Sequence, residues 1–311
     1  MTPSRAALTL PEPIQRRLES ALLGLLLAEG ADQEDFGLPP REAALIAPDS
    51  VSWRVFKNPL ALFIGGVTAV VLELAEPRVR SGVWEHTSFQ TQPLARLRRT
   101  GYATMMTVYG PSSRAESMIA RIGRMHESVR GHTPDGRAYC AADPELLTWV
   151  QATACFGFLE AYHAYVHPLD ADQRDRYYAE GMPAARLYGA VSAPQSQLAA
   201  EALFNSMSGQ LERSDIVFEF LRIVRHMPVL PAPLRPLQAV LIKAAVQTIP
   251  AWIRQRMGLD RRWDLTPWQR SLLCGTGAAV DRLLLRTSPA VQACRRLGLP
   301  DDYLYGPHRE R

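Results

Sequence analysis

The amino-acid sequence predicts an all-α protein built as a single helical domain. Helix-capping signals recur along the chain, strand-like alternation is nearly absent, and no internal repeat or low-complexity tract is visible. The length of 311 residues fits one large domain or two ordinary ones. We predict one domain over residues 1–311, with an N-terminal extension at 1–40 and a proline-rich crossing at 228–236.

The longest apolar run is Pro59–Ala75, which is interrupted by Gly65, Gly66 and Glu73. It is shorter than the roughly 20 residues that a membrane-spanning helix needs. The run therefore predicts a buried core helix, and it leaves peripheral membrane contact open. Residues 21–28 form a shorter apolar run, for which we predict an amphipathic helix.

Three later helices are predicted by their N-terminal caps. Asp143 precedes Pro144, and Thr266 precedes Pro267, which places an oxygen acceptor before a proline at the first helical position. A third helix is predicted to open at Asp170-Ala-Asp-Gln-Arg-Asp and to end near Gly181. The segment from Leu146 to Tyr165 has no internal glycine or proline except Gly157, so a long helix is predicted there.

Two segments are predicted as helical on weaker signals. Leu234–Gly258 is apolar with helical spacing, and Pro250 is expected to kink or divide it. Tyr102–Tyr109 has the composition of a strand, but its apolar residues do not alternate, so we predict a helix there as well.

Composition excludes several classes of protein. Thirty-five basic and 31 acidic residues give a net charge of +4, and the basic residues are scattered, which argues against a nucleic-acid-binding protein. The four cysteines are far apart and form no CxxC motif, so they indicate reduced thiols rather than a zinc site. Without a convincing signal peptide, the default expectation is a cytoplasmic protein.

The most informative segment for chemistry surrounds His126. Ile119, Ile122, His126 and Val129 are spaced 3, 4 and 3, so they share one apolar helix face, with Arg130 one turn after the histidine. A neutral imidazole on such a face suits the proximal ligand of a haem, and Arg130 suits a haem propionate. The alternative is a core histidine bonded to a backbone carbonyl, which spacing alone favours.

A second candidate cluster lies upstream. Arg96 shares a helix face with Arg99 and Thr100, and this group could hydrogen-bond an anion or oxygen. The alternative is a solvated basic face, which composition alone favours. Among the acids, Glu73, Glu76 and Glu85 are candidates for acid/base chemistry at the edge of a dry site.

His163 and His167 have the i, i+4 spacing of a metal pair. They stand at a helix end just before Pro168. For this pair we favour capping of the helix end over metal binding.

The ordered motifs resemble the catalytic domain shared by the latex-clearing rubber oxygenases and the endoplasmic-reticulum-bound oxygenases of the mycophenolate pathway. The motifs are His86-Thr-Ser-Phe89, Arg96-Leu-Arg-Arg-Thr100, Arg124-Met-His126-x-x-Val129-x-Gly131 and Tyr139-x-Ala141-x-Asp143-Pro144. The resemblance implies a globin-like helical core with haem b, in which His126 matches the proximal ligand. Arg96 and Thr100 match the element that lines the haem pocket.

Two positions depart from the family pattern. Arg99 stands where the rubber-cleaving branch has a lysine that can bind iron, and arginine has no lone pair to give. Glu76 stands where many relatives have a histidine.

We therefore predict a haem b-dependent oxygenase that uses dioxygen on a small apolar, unsaturated substrate. His126 is the predicted iron ligand, Arg96 and Thr100 are the predicted catalytic residues, and Arg99 and Arg130 are further cofactor-binding residues. Two alternatives stay open, namely haem binding without turnover, as in a sensor or carrier, and a cofactor-free helical protein that binds an apolar ligand.

Overall fold

The computed structural model describes residues 7–16, 19, 36–230 and 235–305, and this part of the chain is predominantly α-helical. It confirms the predicted all-α class. The predicted helix at 21–28 and residues 231–234 of the proline-rich crossing lie outside the described residues.

Fourteen α-helices and one β-hairpin make up the regular structure of the described ranges. In chain order, helices α1 to α14 are Val51–Phe56, Pro59–Glu73, Pro77–His86, Pro93–Tyr109, Ser112–Ser128, Pro144–Tyr165, Ala171–Glu180, Met182–Leu187, Gln197–Ser206, Asp215–His226, Arg235–Thr248, Ala251–Arg256, Pro267–Asp281 and Pro289–Arg296. Strands β1 (Arg130–His132) and β2 (Ala138–Cys140) form the hairpin between α5 and α6.

Helices α2 and α6 cross at the centre of the molecule with their backbones in direct contact. A Cβ atom added to Gly157 would lie 2.5 Å from the carbonyl oxygen of Gly65, and one added to Gly65 would lie 2.7 Å from the Cα of Phe158. Helices α11 and α13 pack against the same pair. Most of α2 is buried, as the run Pro59–Ala75 predicted.

The described part of the chain offers no single helix with the length and hydropathy to cross a membrane. Helices α2 and α3 meet both criteria only when taken as a pair, and they are bent by 111° at their junction.

The predicted helix starts and breaks are confirmed. The side chain of Asp143 accepts a hydrogen bond from the Glu145 amide at 2.9 Å, and Asp170 and Thr266 each form a complete capping box. Pro250 separates α11 from α12, and residues 102–109 belong to α4.

The hairpin after α5 was not predicted. Gly131 pairs with Tyr139 in an antiparallel register. The buried Tyr139 side chain donates a hydrogen bond to Glu85 at 3.1 Å, and its hydroxyl oxygen lies 3.1 Å from Nε2 of His86. These contacts hold the hairpin against the end of α3.

Two buried cations tie distant segments together. Arg296 donates hydrogen bonds to the carbonyl oxygens of Phe36, Glu42 and Tyr109 at 2.5, 2.8 and 2.8 Å. It thereby joins the loop before α1 to the end of α4.

The second buried cation lies at the other end of α1. Lys57 follows this helix, and its Nζ lies 2.7 Å from Oδ1 of the buried Asp281, the last residue of α13. Asn58, which caps α2, donates a hydrogen bond to the same carboxylate at 3.2 Å.

Candidate functional site

Helices α4 and α5 follow each other across a short turn that reverses the chain and brings predicted site residues together. Only Gly110 and Pro111 separate the two helices. The start of α4, with Arg96, therefore lies beside the end of α5, with His126. The charge of Arg96 acts directly on the His126 imidazole, in agreement with this placement.

His126 lies on the inner face of α5. Ala115 and Ile119, earlier on this face, are fully buried, whereas Ile122 and His126 are partly exposed. The Nδ1 atom of His126 is itself buried and has no hydrogen-bond partner among the described residues. The alternative in which a backbone carbonyl accepts from this atom therefore finds no support. A buried ring nitrogen without a partner costs about 1–3 kcal/mol unless it serves another purpose.

Burial lowers the pKa of His126, and the positive charge of Arg96 lowers it further. The imidazole is therefore neutral at physiological pH. A neutral imidazole keeps a lone pair on one ring nitrogen, which is the form that binds a metal ion.

Open space lies beside His126 on the same helix. Gly123 is one turn before His126, and a Cβ added to it would meet no atom within 4 Å. A glycine inside a helix costs up to about 1 kcal/mol relative to alanine. Several apolar side chains around the facing helix ends are only half-buried, namely Trp84, Leu94, Leu97, Ile122 and Val129.

Arg96 and Thr100 form a local pair on α4. The guanidinium of Arg96 donates to the Thr100 hydroxyl, and that hydroxyl donates to the Arg96 carbonyl oxygen at 3.0 Å. The Thr100 hydroxyl thus donates its proton to the helix backbone, and its oxygen accepts a hydrogen bond from the Arg96 side chain. Burial lowers the pKa of Arg96, and the nearby Glu73 carboxylate opposes this shift.

Arg99 has a different hydrogen-bond partner. It is exposed, and its guanidinium donates to the hydroxyl of Ser88 at 2.6 Å. The structure does not bring Arg99 to His126.

Arg130 is placed differently from the prediction. Helix α5 ends at Ser128, so Arg130 begins strand β1, and its Nε donates to the Glu127 carbonyl at 3.0 Å. The interpretation that Arg130 continues the helix one turn after His126 is wrong. Pairing between Gly131 and Tyr139 requires an extended backbone, and this ends the helix.

Glu73, at the end of α2, is the candidate acid that lies near the Arg96 charge. Burial raises the pKa of Glu73 to about 7, against the opposing effect of Arg96. The residue as a whole is only partly buried. A carboxyl group with this pKa exchanges protons near neutral pH.

Glu76 and Glu85 have other roles. The buried Glu76 caps α3, since its carboxylate accepts from the Val79 amide at 2.8 Å and from Arg78 at 2.7 Å. Glu85 is exposed and accepts the hydrogen bond from Tyr139.

His163 also has a structural partner. Its Nδ1 accepts a hydrogen bond from the Leu169 amide at 3.0 Å, which fastens the turn after α6. In the described ranges, no group of three or more His, Cys, Asp or Glu side chains could hold a bare metal ion. A haem needs only an axial ligand from the protein, because the porphyrin supplies four nitrogens.

A separate cleft lies between α4 and α5. Its volume is about 560 Å³, part of which is open solvent, and its lining includes Tyr102, Met106, Met118 and Arg121. His126 does not line this cleft.

Comparison with known proteins gave one match. A family model described as "ER-bound oxygenase mpaB/B'/Rubber oxygenase, catalytic domain" matches residues 53–282, which is 230 of the 311 residues. The matched span contains Arg96, Thr100 and His126. Searches of the curated proteins and of the solved structures gave no significant match.

Proposed function

We propose that this protein is a haem b-dependent oxygenase, because the chain belongs to the family of the ER-bound oxygenases mpaB/B' and the rubber oxygenases. The family supports an enzyme of the oxidoreductase class that uses a substrate and dioxygen. We further propose that the substrate is small, apolar and unsaturated. The observation that carries the haem proposal is the buried, unpartnered Nδ1 of His126.

The residues present fit a haem. His126 offers a neutral imidazole on an inner helix face, and Gly123, one turn away, leaves the adjacent helix surface without a side chain. Half-buried apolar side chains border this face, so a bound macrocycle would cover surface that is otherwise poorly buried. These features support the proposal independently of the family match.

The protein's own residues would hold and orient the reactants. His126 would hold the iron, and its low pKa keeps it free of a proton. Thr100 fixes the side chain of Arg96, whose positive charge would orient an anionic or oxygen-containing group. Glu73, at the edge of the same cluster, would hold or release a proton near neutral pH. When bound, haem supplies the activation of dioxygen, which no amino-acid side chain provides.

Titration of the purified full chain with haemin tests the haem site. We expect a saturable Soret band with the unchanged protein and none with His126→Ala, while added imidazole restores the band in that variant. His132→Ala, in which an exposed histidine on β1 is removed, serves as the matched control and should bind like the original. Equal binding by His126→Ala and the original chain would refute the assignment of the ligand.

Oxygen consumption tests turnover separately. The reduced, haem-loaded protein should consume dioxygen when an unsaturated terpenoid or lipid is added, and Arg96→Gln should slow this without loss of the Soret band. A haem-loaded protein that consumes no oxygen with any such compound would indicate a carrier or sensor instead.

A further inference from the structure

The cleft between α4 and α5 has no role in the proposed haem site. Its lining combines apolar and polar side chains. Tyr102 and Met106 from α4 and Met118 from α5 supply the apolar part, and both methionines are buried. Methionine side chains are flexible and polarizable, so they adapt to apolar ligands of different shapes. The buried side of the cleft therefore offers an apolar surface that a small molecule can cover.

The polar part of the lining comes from α5. Arg114, Ser117 and Arg121 are spaced 3 and 4, so they share one face of the helix, and all three are exposed. Met118 lies beside them on the side that faces the core. A molecule that covers the two methionines would thus lie next to the guanidinium of Arg121.

The two helices that form the cleft are basic. Together, α4 and α5 hold six arginines, two glutamates and no lysine or aspartate, which gives +4 in a chain whose whole charge is +4. Helical periodicity turns Glu116 and Glu127 away from the face that carries Arg121. Arg121 makes no hydrogen bond or ion pair with any residue that the structure describes.

One further acid lies near the start of α5. Glu42 caps this helix, since its carboxylate accepts a hydrogen bond from the Ser113 amide at 2.7 Å. Arg121 is two helical turns further along α5, so this carboxylate is not its partner.

This lining selects for a ligand with two different ends. An inorganic anion would leave the buried methionines uncovered. A wholly apolar molecule would cover part of the Arg121 side chain without offering it a hydrogen-bond acceptor, which is unfavourable. A carboxylate accepts two parallel hydrogen bonds from a guanidinium, and an apolar chain attached to it would cover the methionines. The cleft volume of about 560 Å³, part of it open solvent, restricts the ligand to a small molecule.

We propose that the cleft between α4 and α5 binds a small organic carboxylate with an apolar chain. The carboxylate pairs with Arg121, and the chain lies over Met106 and Met118. His126 does not line the cleft, so this is a second binding site and does not depend on the proposed function.

NMR of the full chain labelled with methyl-¹³C methionine tests this, with octanoate as the probe and without haem. The chain has nine methionines, and octanoate should shift the methyl signals of Met106 and Met118 saturably. Met106→Leu and Met118→Leu identify these two signals. Octanoate should bind at least about tenfold more tightly than butyrate, because the longer chain covers more apolar surface.

Arg121→Gln should weaken octanoate binding about three- to tenfold and leave the binding of uncharged octanol unchanged. Arg124→Gln is the matched control, because Arg124 is exposed on the same helix and does not line the cleft. It should bind octanoate like the original. Three results would overturn the proposal: no response of the Met106 and Met118 signals to octanoate, equal weakening by Arg121→Gln and Arg124→Gln, or an equal loss of octanol and octanoate binding in Arg121→Gln.

Discussion

Gly131 and Tyr139 face each other across the hairpin so closely that a Cβ on Gly131 would lie 2.5 Å from the tyrosine hydroxyl oxygen. The aromatic ring covers the glycine, and its hydroxyl bonds to Glu85 at the end of α3. Since β1 begins two residues after α5 ends, this contact also fixes where the His126 helix stops.

Gly131→Ala is therefore expected to destabilise the protein by about 2 kcal/mol, because the buried Tyr139 ring cannot move aside without loss of its hydrogen bonds. Gly101→Ala, in α4, is the control, since a Cβ there meets no atom within 4 Å. It should stabilise the protein by up to about 1 kcal/mol. Urea unfolding measures both, and equal effects of the two substitutions would contradict the close contact.

His126→Leu should not destabilise the haem-free protein. The substitution removes a buried nitrogen without a partner, so we expect a gain of about 1 kcal/mol in the free energy of unfolding. Added haemin should raise the melting temperature of the original chain and not that of the variant. A loss of more than about 1 kcal/mol in the haem-free variant would show that the ring makes a stabilising contact.

Glu73→Gln should change how stability depends on pH. Burial raises the pKa of Glu73 from 4.5 to about 7, so the folded protein binds this proton more tightly than the unfolded chain does. The original chain therefore loses stability as pH rises from about 4.5 to 7, by at most about 3 kcal/mol.

Glutamine carries no titrating proton, so Glu73→Gln should be more stable than the original at pH 8 and gain little at pH 4.5. Urea unfolding across this range measures the difference, with the exposed Glu116→Gln as the matched substitution. A difference that does not vary with pH would be inconsistent with the raised pKa.

Lys57→Met should destabilise the protein by about 3 kcal/mol, because it leaves the buried Asp281 carboxylate without its ammonium partner at 2.7 Å. Lys57→Met/Asp281→Leu removes both charges and should recover part of that loss. Thermal unfolding of the two variants gives the comparison. If Lys57→Met unfolds like the original chain, the pair has no role in stability.

The helix pattern was predictable because its signals are local. Asp143, Asp170 and Thr266 each satisfy amide groups within three residues, so their role can be recognised from adjacent sequence. A proline kinks or breaks a helix when it lies in the helix interior, so the break at Pro250 could be recognised in the same way.

The hairpin was not predictable in the same way. Its strands are three residues long, and Tyr139 is the only one of these six residues that is buried. Its main anchor is the contact between Tyr139 and α3, which depends on tertiary packing. The wrong placement of Arg130 has the same cause. Helical spacing was assumed to continue through Arg130, whereas tertiary contacts hold that segment as a β-strand.

The site was predictable in part. Helical spacing placed His126 on an inner face, and the turn at Gly110 and Pro111 explains why Arg96 lies beside it. The effect of Glu73 on Arg96 could not be predicted, because it depends on where α2 ends in space.

Arg296 has a consequence for how far the chain can be shortened. The span of family similarity, 53–282, excludes this arginine together with Phe36 and Glu42, yet its guanidinium satisfies the carbonyl of Tyr109 inside that span. In a fragment trimmed to the region of similarity, the carbonyl oxygen of Tyr109 would lose its hydrogen-bond donor, and the end of α4 would be exposed. The region that matches the family is therefore shorter than the unit that folds cooperatively. We expect only the longer chain to fold on its own.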